Sequence, residues 1–132
     1  HYQHQVESKE AIRSIQVLDV KVQLDSSDDL VNRMVEYIQE NYMNKITMKE
    51  LSEVFSYSET LLNKRFKDGC GTTFNDYLNK VRIQKAIDAM QDESRYVYDI
   101  ATDCGFKDYK YFTIVFKKYI GCSPKEFMKA LK

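Results

Sequence analysis

The sequence is poor in the residues that interrupt helices. Its 132 residues include one proline, four glycines and no tryptophan. Lysine, glutamate and leucine, which are compatible with helix, are frequent. We therefore expect a mostly helical protein, and the chain length suits one compact domain or two very small ones.

Cysteine and histidine are also scarce, and this argues against several kinds of site. The three cysteines, Cys70, Cys104 and Cys122, are odd in number and lack C-x-x-C spacing, which disfavours a disulfide framework or a zinc site. We interpret them as reduced thiols of a cytoplasmic protein, with redox sensing and metal binding as alternatives. The two histidines, His1 and His4, lie at the start, so the helical region has no Ser/His/Asp or Cys/His catalytic set. We predict no enzyme activity and no cofactor.

Neither a long apolar run nor an excess of charge marks the chain. No apolar stretch approaches the ~20 residues of a membrane-spanning helix, so no membrane partner is expected. Basic and acidic side chains number 20 each. Residues 1–29 carry three basic and six acidic side chains, whereas residues 30–132 carry 17 and 14. The larger part is mildly basic, and the distribution of its charges matters more than their sum.

The first residues differ from the rest of the chain. Leu18, Val20 and Val22 alternate with polar residues, a pattern typical of a half-buried strand. A single strand has no pairing partner here. We expect residues 1–29 to be a linker or the tail of a missing upstream domain, followed by a separate domain at 30–132.

Apolar spacing and capping residues predict a series of short helices in that domain. Thr47 and Glu50 form a capping box for a helix that carries Leu51, Val54 and Phe55 inward. Further capping residues are Ser58, Thr73 and Ser123, the last followed by Pro124. The other predicted helices cover about 29–42, 59–68, 74–90, 97–103, 108–119 and 124–131.

Two stretches of the chain resemble each other. Segment 51–77 can be laid on segment 100–127 with one residue added in the second copy. Each copy has a short helix, a tight turn and a longer helix, which is the helix-turn-helix arrangement. We assign the two units to 47–69 and 97–119, with a linker helix at 73–90. Two hairpins of a small helical bundle can also look alike, so the repeat alone leaves the function open.

The longer helix of the second copy has two different faces. Phe112, Val115, Phe116 and Tyr119 recur at helical spacing and form an apolar face. The opposite side carries hydrogen-bonding, apolar and cationic groups, namely Tyr109, Lys110, Thr113, Ile114 and Lys117. Such a mixture suits the major groove of DNA, where lysine meets guanine acceptors and an aliphatic side chain meets a thymine methyl.

The corresponding helix of the first copy is more polar. It turns Leu62 and Phe66 inward, and its outward residues are Glu59, Thr60, Asn63, Lys64 and Lys67. Asparagine can pair with adenine, and lysine with guanine. Arg65 stands where the second copy has the core residue Val115, so we expect its side chain to extend to the helix edge and reach a phosphate.

Residues 30–132 resemble the DNA-binding domain of AraC/XylS-family transcription regulators. The resemblance covers nearly the whole region, and it rests on ITMKELSEVFSYSETLLNKRFKDGCGTTFNDYL, VRIQKAIDAM and, above all, VYDIATDCGFKDYKYFTIVFKKYIGCSPKEF. The pattern typical of the family's second half is met by Ile100-Ala101, Gly105-Phe106, Tyr111-Phe112, Phe116-Lys117-Lys118, Gly121, Ser123-Pro124 and Phe127.

The resemblance implies an all-α domain of about seven helices, with two helix-turn-helix subdomains joined by a long linker helix. It also implies that the two recognition helices enter successive major grooves, about one turn (~34 Å) apart. The base-contact candidates that it marks are Thr60, Asn63, Lys64, Tyr109, Lys110, Thr113 and Ile114. The candidates for phosphate contact are Ser58, Arg65, Lys67, Lys107, Lys117 and Lys118.

A few positions depart from the family pattern. Many members have arginine where this chain has Lys64 and Ile114, and the position of Arg65 is usually apolar. Because isoleucine donates no hydrogen bond, we expect the second helix to read DNA more by methyl contact or shape. Arg82 matches a family arginine, which we interpret as an ion pair between linker helix and subdomain rather than a base contact.

The resemblance also implies partners. Double-stranded promoter DNA is the first, and the parent chain would carry an upstream sensor or receiver domain. The alternative hypothesis is a protein-interaction module that docks a partner helix or RNA polymerase through the surface around Tyr109 and Ile114, without sequence-specific DNA binding. The two hypotheses differ in salt dependence, because DNA binding weakens steeply as salt rises.

Overall fold

The structure, a computed structural model, describes residues 28–131. Seven α-helices occupy this part of the chain, which contains no strand, so the predicted all-α fold is confirmed. They are α1 Asp29–Asn41, α2 Met48–Phe55, α3 Glu59–Cys70, α4 Phe74–Met90, α5 Val97–Asp103, α6 Tyr109–Ile120 and α7 Pro124–Leu131. Not one of these helices combines the length and the apolar character needed to cross a membrane. The strand-like pattern around Val20 lies outside the described residues.

Side-chain caps determine where several helices begin. The Thr47 hydroxyl accepts a hydrogen bond from the backbone N–H of Glu50 at 3.1 Å. The Ser123 hydroxyl accepts one from the backbone N–H of Glu126 at 3.2 Å. Ser58 caps α3 in the same way. Each hydroxyl satisfies a backbone donor that would otherwise lack a partner in the first helical turn, which typically contributes ~1 kcal/mol.

One predicted core position in α2 is wrong. Val54 is 52% exposed, whereas Leu51 is fully buried. The helix directs Leu51 and the half-buried Phe55, four residues later, to the same side. Val54 falls to one side of that direction, and its side chain faces outward.

Two further details differ from expectation in the first copy. The Glu50 carboxylate accepts from the Tyr37 hydroxyl at 2.7 Å and so ties α2 to α1, instead of completing the capping box. Helix α3 continues two residues beyond the predicted end because Gly71 adopts the left-handed conformation (φ 73°) that closes it. Gly69 stays helical, and a Cβ there would lie 3.0 Å from Val31.

The helices form two compact units, and the division falls within α4, between Val81 and Arg82. Each unit has its own apolar core. In the first, Phe66 of α3 is fully buried and makes edge-to-face contacts at 6.0 and 5.5 Å with two aromatic rings of α4. In the second, Phe116 of α6 is fully buried against Phe112 and Phe127 at 5.7 and 5.5 Å.

The backbone turns repeat between the two copies. Gly121 ends α6 in a left-handed conformation (φ 93°), at the position that Gly71 occupies after α3. The turn inside each unit repeats as well, but with different residues. Ser56 has φ 59° after α2, and Gly105 has φ 99° after α5. The first copy therefore places a residue with a Cβ where the second has glycine.

Arg82 attaches the second half of α4 to its own subdomain. Its guanidinium lies 5.8 Å from the centre of the Phe106 ring, in the turn between α5 and α6. The sequence predicts an ion pair between linker helix and subdomain at this position, and the structure shows a cation–π contact there.

Candidate nucleic-acid interface

The exposed face of α6 is cationic with an apolar centre. Lys110, Ile114, Lys117 and Lys118 are all exposed and follow the i, i+4, i+7, i+8 spacing of a single helix face. Ile114 lies among the three lysines, and 59% of its surface is accessible. No aspartate or glutamate occurs in α6. The helix therefore presents three ammonium groups around an aliphatic side chain, with no carboxylate of its own to offset them.

Two predicted base contacts lie at the margin of this face. Tyr109 is half-buried, and its ring packs against those of Tyr98 and Phe112 at 5.5 and 6.0 Å. Thr113 is also half-buried, and its hydroxyl donates to the backbone carbonyl of Tyr109 at 3.0 Å. Both side chains are partly engaged within the subdomain, so Lys110 and Ile114 are the most outward of the predicted readers on α6.

The sequence does not predict that Tyr98 of α5 lies beside the candidate interface, where it packs against Tyr109. Its side chain is 63% exposed, and its ring lies at 32° to that of Tyr109. The sequence offers only a tyrosine near the start of the preceding helix as a signal. The stacking itself joins two helices, so helical spacing did not predict it.

The other predicted phosphate contacts of this copy are accessible. Lys107 is exposed in the turn before α6, and Asp108 caps the helix by accepting from the N–H of Lys110 at 2.9 Å. The Lys118 ammonium lies 5.4 Å from the centre of the Tyr119 ring. The cationic groups thus extend from the turn along the full length of α6.

The predicted reading residues of α3 are exposed too, but their surroundings differ. The exposed candidates are Ser58, Thr60, Asn63, Lys64, Arg65 and Lys67. Glu59 and Asp68, in the same helix, are also exposed. Because two carboxylates accompany the three cations of α3, this helix is less positive than α6.

Arg65 forms an ion pair outside its own helix. Its guanidinium donates to the carboxylate of Asp28 at 3.0 Å, and the Asp28 carboxylate also caps α1 by accepting from the N–H of Leu30. Burial by itself would raise the pKa of Asp28, but the bonds and charge of Arg65 and the backbone N–H groups lower it overall. Arg65 reaches the helix edge, as predicted, and meets a carboxylate there.

None of the three cysteines forms a disulfide, and burial makes two of them unreactive. Cys104 is buried and Cys70 is half-buried, and burial raises the pKa of each thiol to about 11. Both thiols therefore stay protonated near neutral pH. Within residues 28–131, the side chains form no cluster of His, Cys, Asp or Glu that could hold a metal ion.

The helix-turn-helix repeat is shared with known proteins. A family profile described as "Helix-turn-helix domain" matches residues 51–130. The transcriptional regulatory protein HptR of Staphylococcus aureus is 36% identical over 113 residues, which are 86% of this chain and 44% of that protein.

Solved structures show the same arrangement. The C-terminal domain of AraT, a response regulator from Geobacillus stearothermophilus, has a TM-score of 0.74 and 27% identity, covering 77% of this chain and 85% of that one. The C-terminal domain of the two-component response regulator yesN from Fusobacterium nucleatum has a TM-score of 0.69 and 34% identity, covering 73% and 94%.

Fold, repeat and matches together define a double helix-turn-helix domain of the DNA-binding class found in transcription regulation. The chain belongs to the AraC-type helix-turn-helix family, as its motifs predicted. It spans about 44% of the length of the curated relatives that it matches.

Proposed function

We propose that this chain binds double-stranded DNA in a sequence-specific way and directs a transcription regulator to its promoters. The observation that carries the proposal is the exposed face of α6, where three lysines surround Ile114 and the helix has no carboxylate. DNA offers such a face a dense row of phosphates, and its major groove offers hydrogen-bond acceptors and thymine methyls.

In this proposal α3 and α6 are the two recognition helices, which enter successive major grooves about one turn apart. Lys110 and Ile114 contact bases from α6, with Tyr109 and Thr113 at the edge of the contact. Thr60, Asn63 and Lys64 contact bases from α3. Phosphate contacts come from Ser58, Arg65, Lys67, Lys107, Lys117 and Lys118, and these position the protein without reading sequence.

We assign the DNA-binding unit to residues 30–132, with helix-turn-helix units at 47–69 and 97–119. Residues 1–29 then link it to an upstream domain of the parent chain. A receiver domain is favoured there, because AraT and yesN are response regulators and both matching structures are C-terminal domains. We propose further that the protein acts in the cytoplasm without a catalytic role and that RNA polymerase is a second partner.

A protein-interaction module is the second candidate function. It is favoured by the exposure of two large side chains on α6, Tyr111 at 47% and Ile114 at 59%. The salt dependence of the binding affinity distinguishes the two functions. Contacts with several phosphates lose affinity steeply as salt rises, whereas apolar docking does not.

Selection of bound sites from a random double-stranded DNA library tests the proposal. With the 132-residue chain as bait, we expect enrichment of one motif, bound more tightly than scrambled DNA at physiological salt. Affinity for the enriched sequences that equals affinity for random DNA across a salt series would contradict sequence-specific binding.

A further inference from the structure

Ile114 is placed where a helix built only for the fold would carry a polar side chain. The buried side of α6 is already complete, with Phe112, Val115, Phe116 and Ile120 in the core of the second unit. Ile114 points away from that core and remains 59% exposed. Its exposure therefore has no explanation in the packing of its own subdomain.

The surroundings of Ile114 indicate what kind of partner covers it. Lys110 is one turn before it, and Lys117 and Lys118 are one turn after it, all exposed. Three ammonium groups on one face favour an anionic partner, and the aliphatic side chain among them favours an apolar group within that partner. In the major groove the 5-methyl group of thymine is the apolar feature among the base edges.

The neighbouring polar groups limit which side chains on this face can donate a hydrogen bond to a base. Thr113 donates its hydroxyl to the carbonyl of Tyr109, and Tyr109 packs against Tyr98 and Phe112. Lys110 is left as the exposed donor on the turn before Ile114. Four residues of helix rise ~6 Å, which corresponds to about two base-pair steps of ~3.4 Å.

We propose that Ile114 is a specificity-determining residue that recognises the methyl group of a thymine, flanked within about two base pairs by an acceptor base, such as guanine, that faces Lys110. The inference rests on the proposed DNA-binding function and adds the base that α6 selects. A lysine or arginine at this position would instead favour guanine at the corresponding base pair.

Replacing thymine by deoxyuridine tests this, because the exchange removes the methyl group and leaves every hydrogen-bonding group in place. Each thymine of the selected site is replaced in turn, and the dissociation constant is measured for wild type and for Ile114→Ala. We expect one thymine in the half-site read by α6 whose replacement weakens wild-type binding about fourfold, the effect of one buried methyl. Ile114→Ala should lose that sensitivity, and Ile114→Val should keep part of it.

Lys118→Ala is the matched control on the same helix face. It should weaken binding to all sequences alike and leave the ratio between thymine and deoxyuridine sites unchanged. Because Ile114 and Lys118 are exposed, we expect all variants to keep the helix content and melting temperature of the wild type, and these are measured alongside.

The outcomes distinguish the inference from the function on which it rests. A selected site in which no thymine methyl matters, or in which the methyl effect persists in Ile114→Ala, would overturn the inference and leave DNA binding standing. Wild-type DNA affinity in Ile114→Ala on every site would overturn it too and favour a protein partner for this face. Failure to select any site would remove the proposed function itself.

Discussion

The two helix-turn-helix units have the same architecture but present different chemistry. Helix α6 offers three lysines, no carboxylate and an exposed isoleucine, whereas α3 mixes three cations with Glu59 and Asp68. In the first copy Arg65 is paired with Asp28, and in the second the equivalent position, Val115, is part of the core. The second copy therefore has the stronger attraction for a polyanion, and the first has the more neutral, hydrogen-bonding surface.

This difference predicts that the two recognition helices contribute unequally to DNA affinity. A cationic face supplies affinity that depends little on sequence, and an amide side chain such as Asn63 supplies discrimination at one base pair. We expect α6 to contribute more of the binding energy and its salt dependence. We expect both helices to contribute specificity, and α3 to do so with a smaller gain in affinity.

The largest expected effect is a loss of unfolding free energy when the core of either unit is truncated, and it tests whether the two cores are separate. Phe66 and Phe116 are fully buried at matching positions, so truncation of either to alanine should cost about 3–5 kcal/mol of unfolding free energy. Each variant should lose hydrogen-exchange protection mainly in its own unit. Leucine variants, which leave smaller cavities, serve if the alanine variants do not fold. Equal loss of protection in both units from either change would show one cooperative core.

Next in size are the proposed base contacts, which compare the two recognition helices directly. Asn63→Ala and Lys110→Ala should each cost about 1–3 kcal/mol on the selected site and far less on random DNA. Fluorescence anisotropy at fixed salt gives both values. Lys129→Ala, which removes an exposed charge from α7, is the control and should change neither. If both substitutions weaken specific and random DNA equally, the assigned side chains contact phosphates instead.

The turns inside the two units provide a third comparison. Ser56 holds a positive φ that glycine adopts without strain, and Gly105 already occupies the matching position. Ser56→Gly should stabilise the protein by about 0.5–1 kcal/mol, and Gly105→Ser should destabilise it by about 1 kcal/mol. Urea unfolding measures both. Two changes of the same sign would mean that the turns are not equivalent.

The smallest expected effect is that of the ion pair between Asp28 and Arg65. Asparagine is as good a cap as aspartate, so Asp28→Asn removes the charge and keeps the start of α1. Because Arg65 is half exposed, the loss at pH 7 should be no more than about 0.5 kcal/mol. Binding to any DNA sequence should become slightly tighter, since Arg65 is released toward phosphate.

The pH dependence of this pair has a defined sign. The pKa of Asp28 is lowered in the folded protein, so the pair stabilises the fold at pH values above the unfolded pKa, near 3.9. That contribution is lost as the pH falls through the lowered folded pKa. The stability difference between wild type and Asp28→Asn should therefore be present at pH 7 and vanish in acid. A difference that grows as the pH falls would contradict the assignment.

Much of the fold was predictable because its signals are local. Helices α4, α5 and α7 begin and end at the predicted residues, since apolar spacing, Thr73 and the Ser123-Pro124 pair mark their limits. Their positions depend on neighbours in the chain. The repeated core positions Phe66 and Phe116 were predictable for the same reason.

What could not be predicted depends on packing between helices. Arg65 meets Asp28, which lies 37 positions earlier in the chain. Helical spacing predicts that Tyr109 faces outward, but its ring packs on Tyr98 of another helix. Val54 has an apolar side chain, but it does not lie on the face that α2 buries. Spacing within one helix contains no information about which neighbouring element covers each side.

The central claim is that both copies read DNA, each through its own helix. Site selection from a random library, carried out in parallel with wild type, Asn63→Ala and Lys110→Ala, tests it most directly. We predict two half-motifs about one helical turn apart for the wild type, with one half-motif relaxed by Asn63→Ala and the other by Lys110→Ala. A single half-motif that both substitutions relax, or none at all, would contradict the claim.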